Sequence, residues 1–432
     1  MGQLLEKPNT DKQTAGGIGP EGIRYGFAAM QGWRIEMEDA HALNPDIGGD
    51  RYPGWSFFAI FDGHAGDRVS KHAAQHIWAC IKEHLPPSVT NVAPASLSTI
   101  LPSQTSINAR SSEDVSVRSL SEALKRGIFD MDVQLRELPD VRDGLDKSGS
   151  TAVGCLITPQ WIFLVNVGDS RALFVKDNQI ALSTFDHKPS NDKERRRIIE
   201  AGGMVIIQRV NGSLAVSRAL GDFEYKADPN RLPQNQLVSP EADVYVSERD
   251  TTRDQFLILA CDGIWDVMSN EEMCQYVLAK LKLSRDLIGI CSDILDTCLN
   301  KGSKDNMSVI IVSFPATASL SNLSSHSNVI RTETKTKEFA QSSKIGGNVS
   351  ESSSSWEDHY ACNSDNIDDN GNSSSNNLTK QLLLNVTSVN TNNHGATIQP
   401  LDEFTESTNS RIVTNESNND DNSECDSNAS DP

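Results

Sequence analysis

Short, dense apolar runs alternate with amphipathic stretches from about Ile23 to Pro315. Trp55–Phe61 (WSFFAIF), Phe256–Ala260 and Ser308–Phe314 are apolar at nearly every position. Such runs are long enough for a strand, too short for a helix, and predict strands buried on both faces. Trp161–Val165 and Ala172–Val175 are similar runs, and the segment Asn166–Arg171 between them predicts a hairpin-like connection.

Helical spacing marks other segments. Val69, Ala73, Ile77, Cys80 and Ile81 place a helix over Asp67–Leu85, and Leu120, Leu124, Ile128, Met131 and Leu135 place a second. A short helix over 192–201 is stopped by Gly202 and Gly203. Helices are also expected over 270–283 and 285–300, the latter closed by Gly302. Residues 86–118 are rich in Ser, Pro and Thr and predict a long surface loop. Residues 1–22 are polar and Gly-rich. Their Gly17-Ile-Gly19-Pro-Glu-Gly22 matches a dinucleotide-loop pattern, but with no strand before it and no helix after it the segment reads as a flexible lead-in.

Beyond Pro315 the pattern stops. The tail to Pro432 is Ser/Asn-rich, with 17 acidic against 6 basic residues, a net of about −11 out of −20 for the whole chain. It has too little apolar surface to offset the entropy of ordering it, so it is expected to be disordered. Leu382–Val386 is an apolar island within it, read as a chance cluster. The tail also explains why hydrophobic content is only 37%, against about 45–50% for globular chains. The division expected is a lead-in (1–22), a globular domain (23–315) and a tail (316–432).

The acidic balance and the lack of a basic stripe argue against nucleic-acid binding. No apolar stretch approaches the roughly 20 residues that span a bilayer. The eight cysteines form no close pairs, and no leader segment is visible, which suggests a reduced protein in the cytoplasm, the nucleus or both. No Cys-x-x-x-x-x-Arg thiolate loop, P-loop, zinc helix or nucleophile elbow is present.

The acids of the globular part stand at strand ends. Asp62 follows the run 55–61, Asp262 follows 256–260, Asp305 precedes 308–314, Asp169 lies in a turn, and Glu38 and Asp39 are adjacent. Singly they are ordinary turn residues. Together, several beside a glycine, they suggest converging carboxylates that need cations between them. All-oxygen ligation suits Mn²⁺ or Mg²⁺ rather than Zn²⁺. Two such ions about 3.5–4 Å apart would activate a water for in-line attack on phosphorus.

These residues carry a family resemblance. Tyr25–His41 (YGFAAMQGWRIEMEDAH), Phe61–Gly66 (FDGHAG), Ser148–Val153 (SGSTAV), Val167–Arg171 (VGDSR), Asp186–Pro189 (DHKP), Gln208–Asp222 (QRVNGSLAVSRALGD), Leu259–Asp266 (LACDGIWD) and Gly302–Ser308 (GSKDNMS) stand in the order of the type 2C, metal-dependent protein serine/threonine phosphatases. Within that family the chain resembles the animal alpha/beta isoform group. The resemblance implies an α/β sandwich of two antiparallel β-sheets flanked by helices, with two Mn²⁺ or Mg²⁺ ions at one end. It implies Glu38, Asp39, Asp62, Asp262 and Asp305 as metal ligands, with the Gly63 carbonyl. Asp169, Asp262 and Asp266 match a third, weaker metal site. Arg34 matches the phosphate-binding arginine, the alternative being a surface arginine paired with Glu36 or Glu38. His64 matches the general acid, and Arg209 a substrate-binding position. His41, His72 and His187 have no such match and are expected to be structural or exposed. Residues 222–240 match the variable flap beside the cleft.

The substrates implied are phosphoproteins, hydrolysed by water without a covalent phosphoenzyme, and a monomer is expected. The retained carboxylates favour an active enzyme over a silent phosphoprotein-binding scaffold. The chain departs from the alpha/beta group in its tail, which lacks a helical pattern. Gly2 offers a myristoylation site, although Glu6 replaces the usual Ser or Thr, and one acyl chain would anchor only weakly.

Overall fold

The structure is a computed structural model and describes residues 4–47, 51–86 and 106–318. The tail beyond Ala318, with its Leu382–Val386 island, and Gly2 lie outside the described residues. In chain order the elements begin with β1 (Leu4–Ile18), β2 (Arg24–Arg34), β3 (Ala40–Asn44), β4 (Ser56–Phe61) and β5 (Gly63–His64). The helices α1 (Arg68–His84), α2 (Ser106–Arg136) and α3 (Pro139–Arg142) follow. Next come β6 (Gly149–Ser150), β7 (Ala152–Ile157), β8 (Trp161–Val167), β9 (Arg171–Lys176), β10 (Gln179–Ser183) and α4 (Asp192–Glu200). The strands β11 (Val205–Ile206), β12 (Arg209–Val210), β13 (Leu220–Gly221), β14 (Asp243–Glu248) and β15 (Asp254–Ala260) precede α5 (Asp262–Trp265). The helices α6 (Asn270–Leu283) and α7 (Leu287–Lys301) lead to the last strand, β16 (Met307–Ser313).

Two large antiparallel sheets result. One has the order β1-β2-β16-β15-β9-β10 and the other β14-β8-β7-β4-β3. The pleat sorts the apolar runs between layers. Phe58 and Ile60 of β4 face the core between the sheets, whereas Phe57, Ala59 and Phe61 pack under α1 and α2. The same alternation splits β8, with Ile162 and Leu164 between the sheets and Phe163, Val165 and Val167 toward the helices. Both faces are covered, which is why these strands read as continuous apolar runs. The helices α6 and α7 cover the other sheet through Met273, Val277, Ile290 and Ile294. The α/β sandwich expected from the sequence is therefore the one observed.

Three expectations need correction. Residues 4–18 are not a flexible lead-in: β1 pairs antiparallel with β2 from Ile18 opposite Arg24 to Leu4 opposite Arg34. A polar edge strand lacks the apolar run that betrays a central one. Glycines on both strands serve close packing, since a Cβ on Gly16 of β1 would lie 2.7 Å from Ile288 Cγ1, and one on Gly26 of β2 2.5 Å from the Leu287 carbonyl carbon. A strand does precede Gly19, but no α-helix follows: a short turn at Pro20–Gly22 leads into β2.

Second, the segment read as a loop over 86–118 turns helical at Ser106, where α2 begins. Third, β8 and β9 are not a hairpin. β8 pairs with β7 and β14, and β9 with β10 and β15, so Gly168-Asp169-Ser170 passes from one sheet to the other. Gly168 makes that passage at φ +107°, a conformation that favours glycine.

Candidate metal centre

The ends of strands from both sheets meet at one place. Arg34 ends β2, Asp62 follows β4, Asp169 lies in the β8–β9 passage, Asp262 opens α5 after β15, and Asp305 precedes β16. Glu38 and Asp39 come from the loop between β2 and β3. The carboxylates of Asp39, Asp62, Asp169, Asp262 and Asp305 are near enough to perturb one another. An oxygen of Asp39, one of Asp62 and the Cys261 sulfur lie within 4.8 Å of one another.

Backbone packing sets these positions. The Glu38 carboxylate accepts the Gly66 amide at 2.6 Å, and the Glu38 carbonyl accepts the Ser70 hydroxyl at 2.5 Å. The same carbonyl would lie 2.3 Å from a Cβ on residue 63, so only glycine fits there. Asp62 is tied to β7 by the Thr151 amide, which donates to its carbonyl at 2.9 Å. Ser170 bonds the Thr151 hydroxyl at 2.8 Å, and the imidazole of His187 accepts the Gly168 amide at 3.1 Å. His187, whose other nitrogen bonds Asp243, thus supports the passage that carries Asp169, a structural role. His41 stacks on Phe27 and His72 on His76.

The electrostatics are strained in a consistent direction. Burial, then repulsion from Asp262 and Asp39, pushes the Asp62 carboxyl well above the usual carboxylate range. Burial, then repulsion from Asp169 and Asp305, does the same to Asp262. Asp39 is pushed up to about 7 by burial, which the neighbouring Ser308 hydroxyl only partly offsets. Arg34 lies 2.7 Å from Asp305, pairing with it rather than with Glu36 or Glu38, and Lys188 pairs with Asp169. Asp39, Asp62 and Asp262 have no ion-pair partner among the described residues. Asp39 accepts the Ser308 hydroxyl at 2.6 Å through one oxygen, while its other oxygen is buried with no hydrogen-bond partner.

A buried, unpartnered carboxylate oxygen beside two further elevated carboxyls fits a divalent cation. Cys261 does not make the site soft. Its sulfur accepts the Ser308 amide at 3.1 Å and its proton is directed to the Asn306 carbonyl at 3.5 Å, leaving oxygens as the donors. Asp266 stands at the rim, one helical turn after Asp262, and burial raises its carboxyl while Lys188 lowers it.

His64 points to a partner that sequence reasoning missed. Its Nε2 lies 2.7 Å from Asp222 Oδ2. Burial works against its imidazolium, yet Asp222, with Asp169 and Glu38, more than compensates, so the ring holds its proton above the usual histidine value. The Gly221-Asp222 pair repeats the Gly-Asp adjacency that marks Asp169, the one signal that could have found it. Asn306, Ser308 and Lys188 were also missed. Arg209 is not brought to the carboxylates by an ion pair; its guanidinium donates to the Ser213 carbonyl at 2.7 Å, within the segment after β12.

Comparison with known proteins gives this arrangement its context. The sequence profile described as Protein phosphatase 2C matches residues 23–307. The chain belongs to the protein phosphatase 2C family. It is 47% identical to human protein phosphatase 1B over 314 residues, 73% of this chain and 62% of that protein. It is 46% identical to human protein phosphatase 1A over 315 residues, 73% of this chain and 76% of that one. Among solved structures, a C. elegans sex determining protein is 27% identical with a TM-score of 0.55, covering 70% of this chain and 67% of that one. A phosphatase from Toxoplasma gondii, 23% identical with a TM-score of 0.54, covers 70% and 96% and supports the shared fold. The type 2C family is metal-dependent, and the acidic cluster gives this chain a place for the metal.

Proposed function

We propose that this chain is a protein serine/threonine phosphatase that hydrolyses phosphoserine and phosphothreonine in phosphoproteins at a dinuclear Mn²⁺ or Mg²⁺ site. The observation that carries the proposal is the Asp39–Asp62–Asp262 group, Asp39 buried and the other two half-buried, short of positive charge and with Asp39 Oδ1 unpartnered. Glu38, Asp39, Asp62, Asp262, Asp305 and the Gly63 carbonyl would hold the two ions, and Asp169, Asp262 and Asp266 a weaker third. Bound there, the ions would supply positive charge and Lewis acidity for hydrolysis by water, without a phosphoenzyme.

The chain's own groups do the rest. Arg34 stands at the end of β2 with its Nη2 on Asp305, and its guanidinium fork suits phosphoryl oxygens. His64, a quarter exposed, would give its proton to the departing Ser or Thr oxygen. Arg209 and the exposed residues of the flap at 222–240, which exclude the buried Asp222, would contact the protein part of the substrate. The segment from α4 to just past β11 exposes Ile199, Met204, Ile206 and Ile207, apolar side chains suited to contact with a peptide. No helix among the described residues is long and apolar enough to cross a membrane. A monomer in the cytoplasm or nucleus accords with this reading, as does weak membrane association if Gly2 is acylated.

The test is hydrolysis of a phosphothreonine peptide by the full chain with Mn²⁺ and with EDTA. Phosphate release that EDTA abolishes and added Mn²⁺ restores is expected. Release that persists in EDTA would rule out the metal mechanism.

A further inference from the structure

Asp222 reaches His64 from a separate part of the chain, through a miniature sheet. β5, β6 and β13 pair in the order β13-β6-β5. His64 lies opposite Gly149, and Gly149 lies opposite Gly221. The histidine and the residue just after Gly221 therefore hang on the two outer strands, with Gly149 between them. A Cβ on Gly149 would lie 2.2 Å from Asp222 Oδ2 and 2.4 Å from His64 Nε2. The contact exists because that side chain is missing.

Asp222 is also held in an unusual way. Its backbone is left-handed, at φ 51° and ψ 41°, a conformation that residues with a Cβ other than Asn and Asp rarely adopt. Its amide donates to the Ser148 carbonyl at 3.2 Å, and its side chain is only 4% exposed. Strain of this kind persists where the surroundings impose it, and it concentrates at functional sites.

We infer that Asp222 is the positioning residue of His64: its carboxylate accepts the Nε2 proton, fixes the ring's tautomer and orientation, and leaves Nδ1 as the nitrogen that delivers a proton to the leaving oxygen. The inference rests on the reading of His64 as the acid. The balance is simple. The oxygen of water bonds to phosphorus as the phosphorus–oxygen ester bond breaks, the proton of that water goes to solvent, the Nδ1 proton passes to the Ser or Thr oxygen, and His64 is left neutral with Nε2–H still on Asp222. Solvent restores the Nδ1 proton before the next turnover. Asp222 touches neither metal nor substrate in this scheme, and acts only through the ring.

The experiment compares Asp222→Asn, Asp222→Gly and His64→Gln in the full chain with Mn²⁺. Asn tolerates left-handed backbone, and Gly removes the carboxylate while relieving the strain. Two substrates are used, a phosphothreonine peptide with a poor leaving group and p-nitrophenyl phosphate with a good one. General-acid catalysis contributes about 10²–10⁴-fold. Both Asp222 variants are therefore expected to lower kcat on the peptide by roughly 10²-fold. KM should hold, and the loss on the aryl ester should be at least about tenfold smaller. Equal losses on both substrates, a loss confined to KM, or full activity in Asp222→Gly would overturn the inference while leaving His64 as the acid. If His64→Gln itself slows both substrates equally, the acid reading falls and the inference with it.

Discussion

The side-chain oxygen of Asn306 accepts the backbone amide of Glu38 at 2.9 Å. The Asn306 amide nitrogen donates to the carbonyls of Gln31 and Glu36 at 2.9 and 3.0 Å. One buried side chain thus pins the whole loop from β2 to Asp39 onto the start of β16, next to Asp305. Asn306→Ala would leave these groups unpaired, at about 1–3 kcal/mol for a buried polar group. Residues that orient ligands typically cost 10–100-fold in metal affinity when lost. Urea unfolding and Mn²⁺ activation curves should show both effects; unchanged Mn²⁺ dependence would mean the loop holds its shape without Asn306.

The same carboxylates that favour a metal should weaken the metal-free fold. Asp262→Asn removes a buried charge repelled by Asp169 and Asp305. Its melting temperature in EDTA should therefore rise above that of the parent, while turnover with Mn²⁺ falls by more than about 10³-fold, the equivalent of several kcal/mol of barrier. A lower melting temperature in EDTA would show that Asp262 is stabilising without metal.

Stability should depend on pH in two opposed ways. Asp39, pushed up to about 7, and Asp62 and Asp262, also raised, bind protons more tightly folded than unfolded. In EDTA, stability should therefore increase as pH falls from about 7 toward the unfolded carboxyl values near 4. Glu194 and Asp243 run the other way. Burial opposes their charge, but Arg218 on Glu194, and His187 and Arg218 on Asp243, hold both well below the usual range. Their contribution is present above about pH 4.5 and is lost as pH falls further toward their folded values. Thermal melts in EDTA should peak at mildly acidic pH, and saturating Mn²⁺ should remove the rise between pH 7 and 5. A flat profile in EDTA from pH 7 to 5 would refute the coupling.

Gly26→Ala should test the packing of the first hairpin. The added Cβ would meet backbone atoms of Leu287, so α7 must shift away from β2. Overpacking of this kind costs about 1–3 kcal/mol, and a 10–15% extrapolation error in urea unfolding would still resolve it.

What the sequence made legible follows from burial. β4 and β15 are covered on both faces, so their apolar runs are uninterrupted and their ends fall visibly at Asp62 and Asp262. β1 is a polar edge strand packed on α7 through Gly16, with Gly26 of the paired β2 doing the same, contacts with no local periodicity. The β8–β9 passage was misread because an apolar run states that a strand is buried, not which strand it pairs with. Asp222 was passed over because two-residue strands carry no pattern; its partnership with His64 exists only through Gly149. The motifs named the cluster's members, whereas the hydrogen bonds of Asn306 and Ser308 that hold them are visible only in three dimensions.

β1 also fixes where the chain's beginning is delivered. Leu4 pairs with Arg34, and residues opposite one another in an antiparallel ladder stand about 4.5–5.5 Å apart at Cα. Leu4 therefore stands beside the acidic cluster, where Arg34 pairs with Asp305, not at the far end of the sandwich. A tag, surface linker or fused domain joined there becomes a tether that turns the cleft toward its point of attachment.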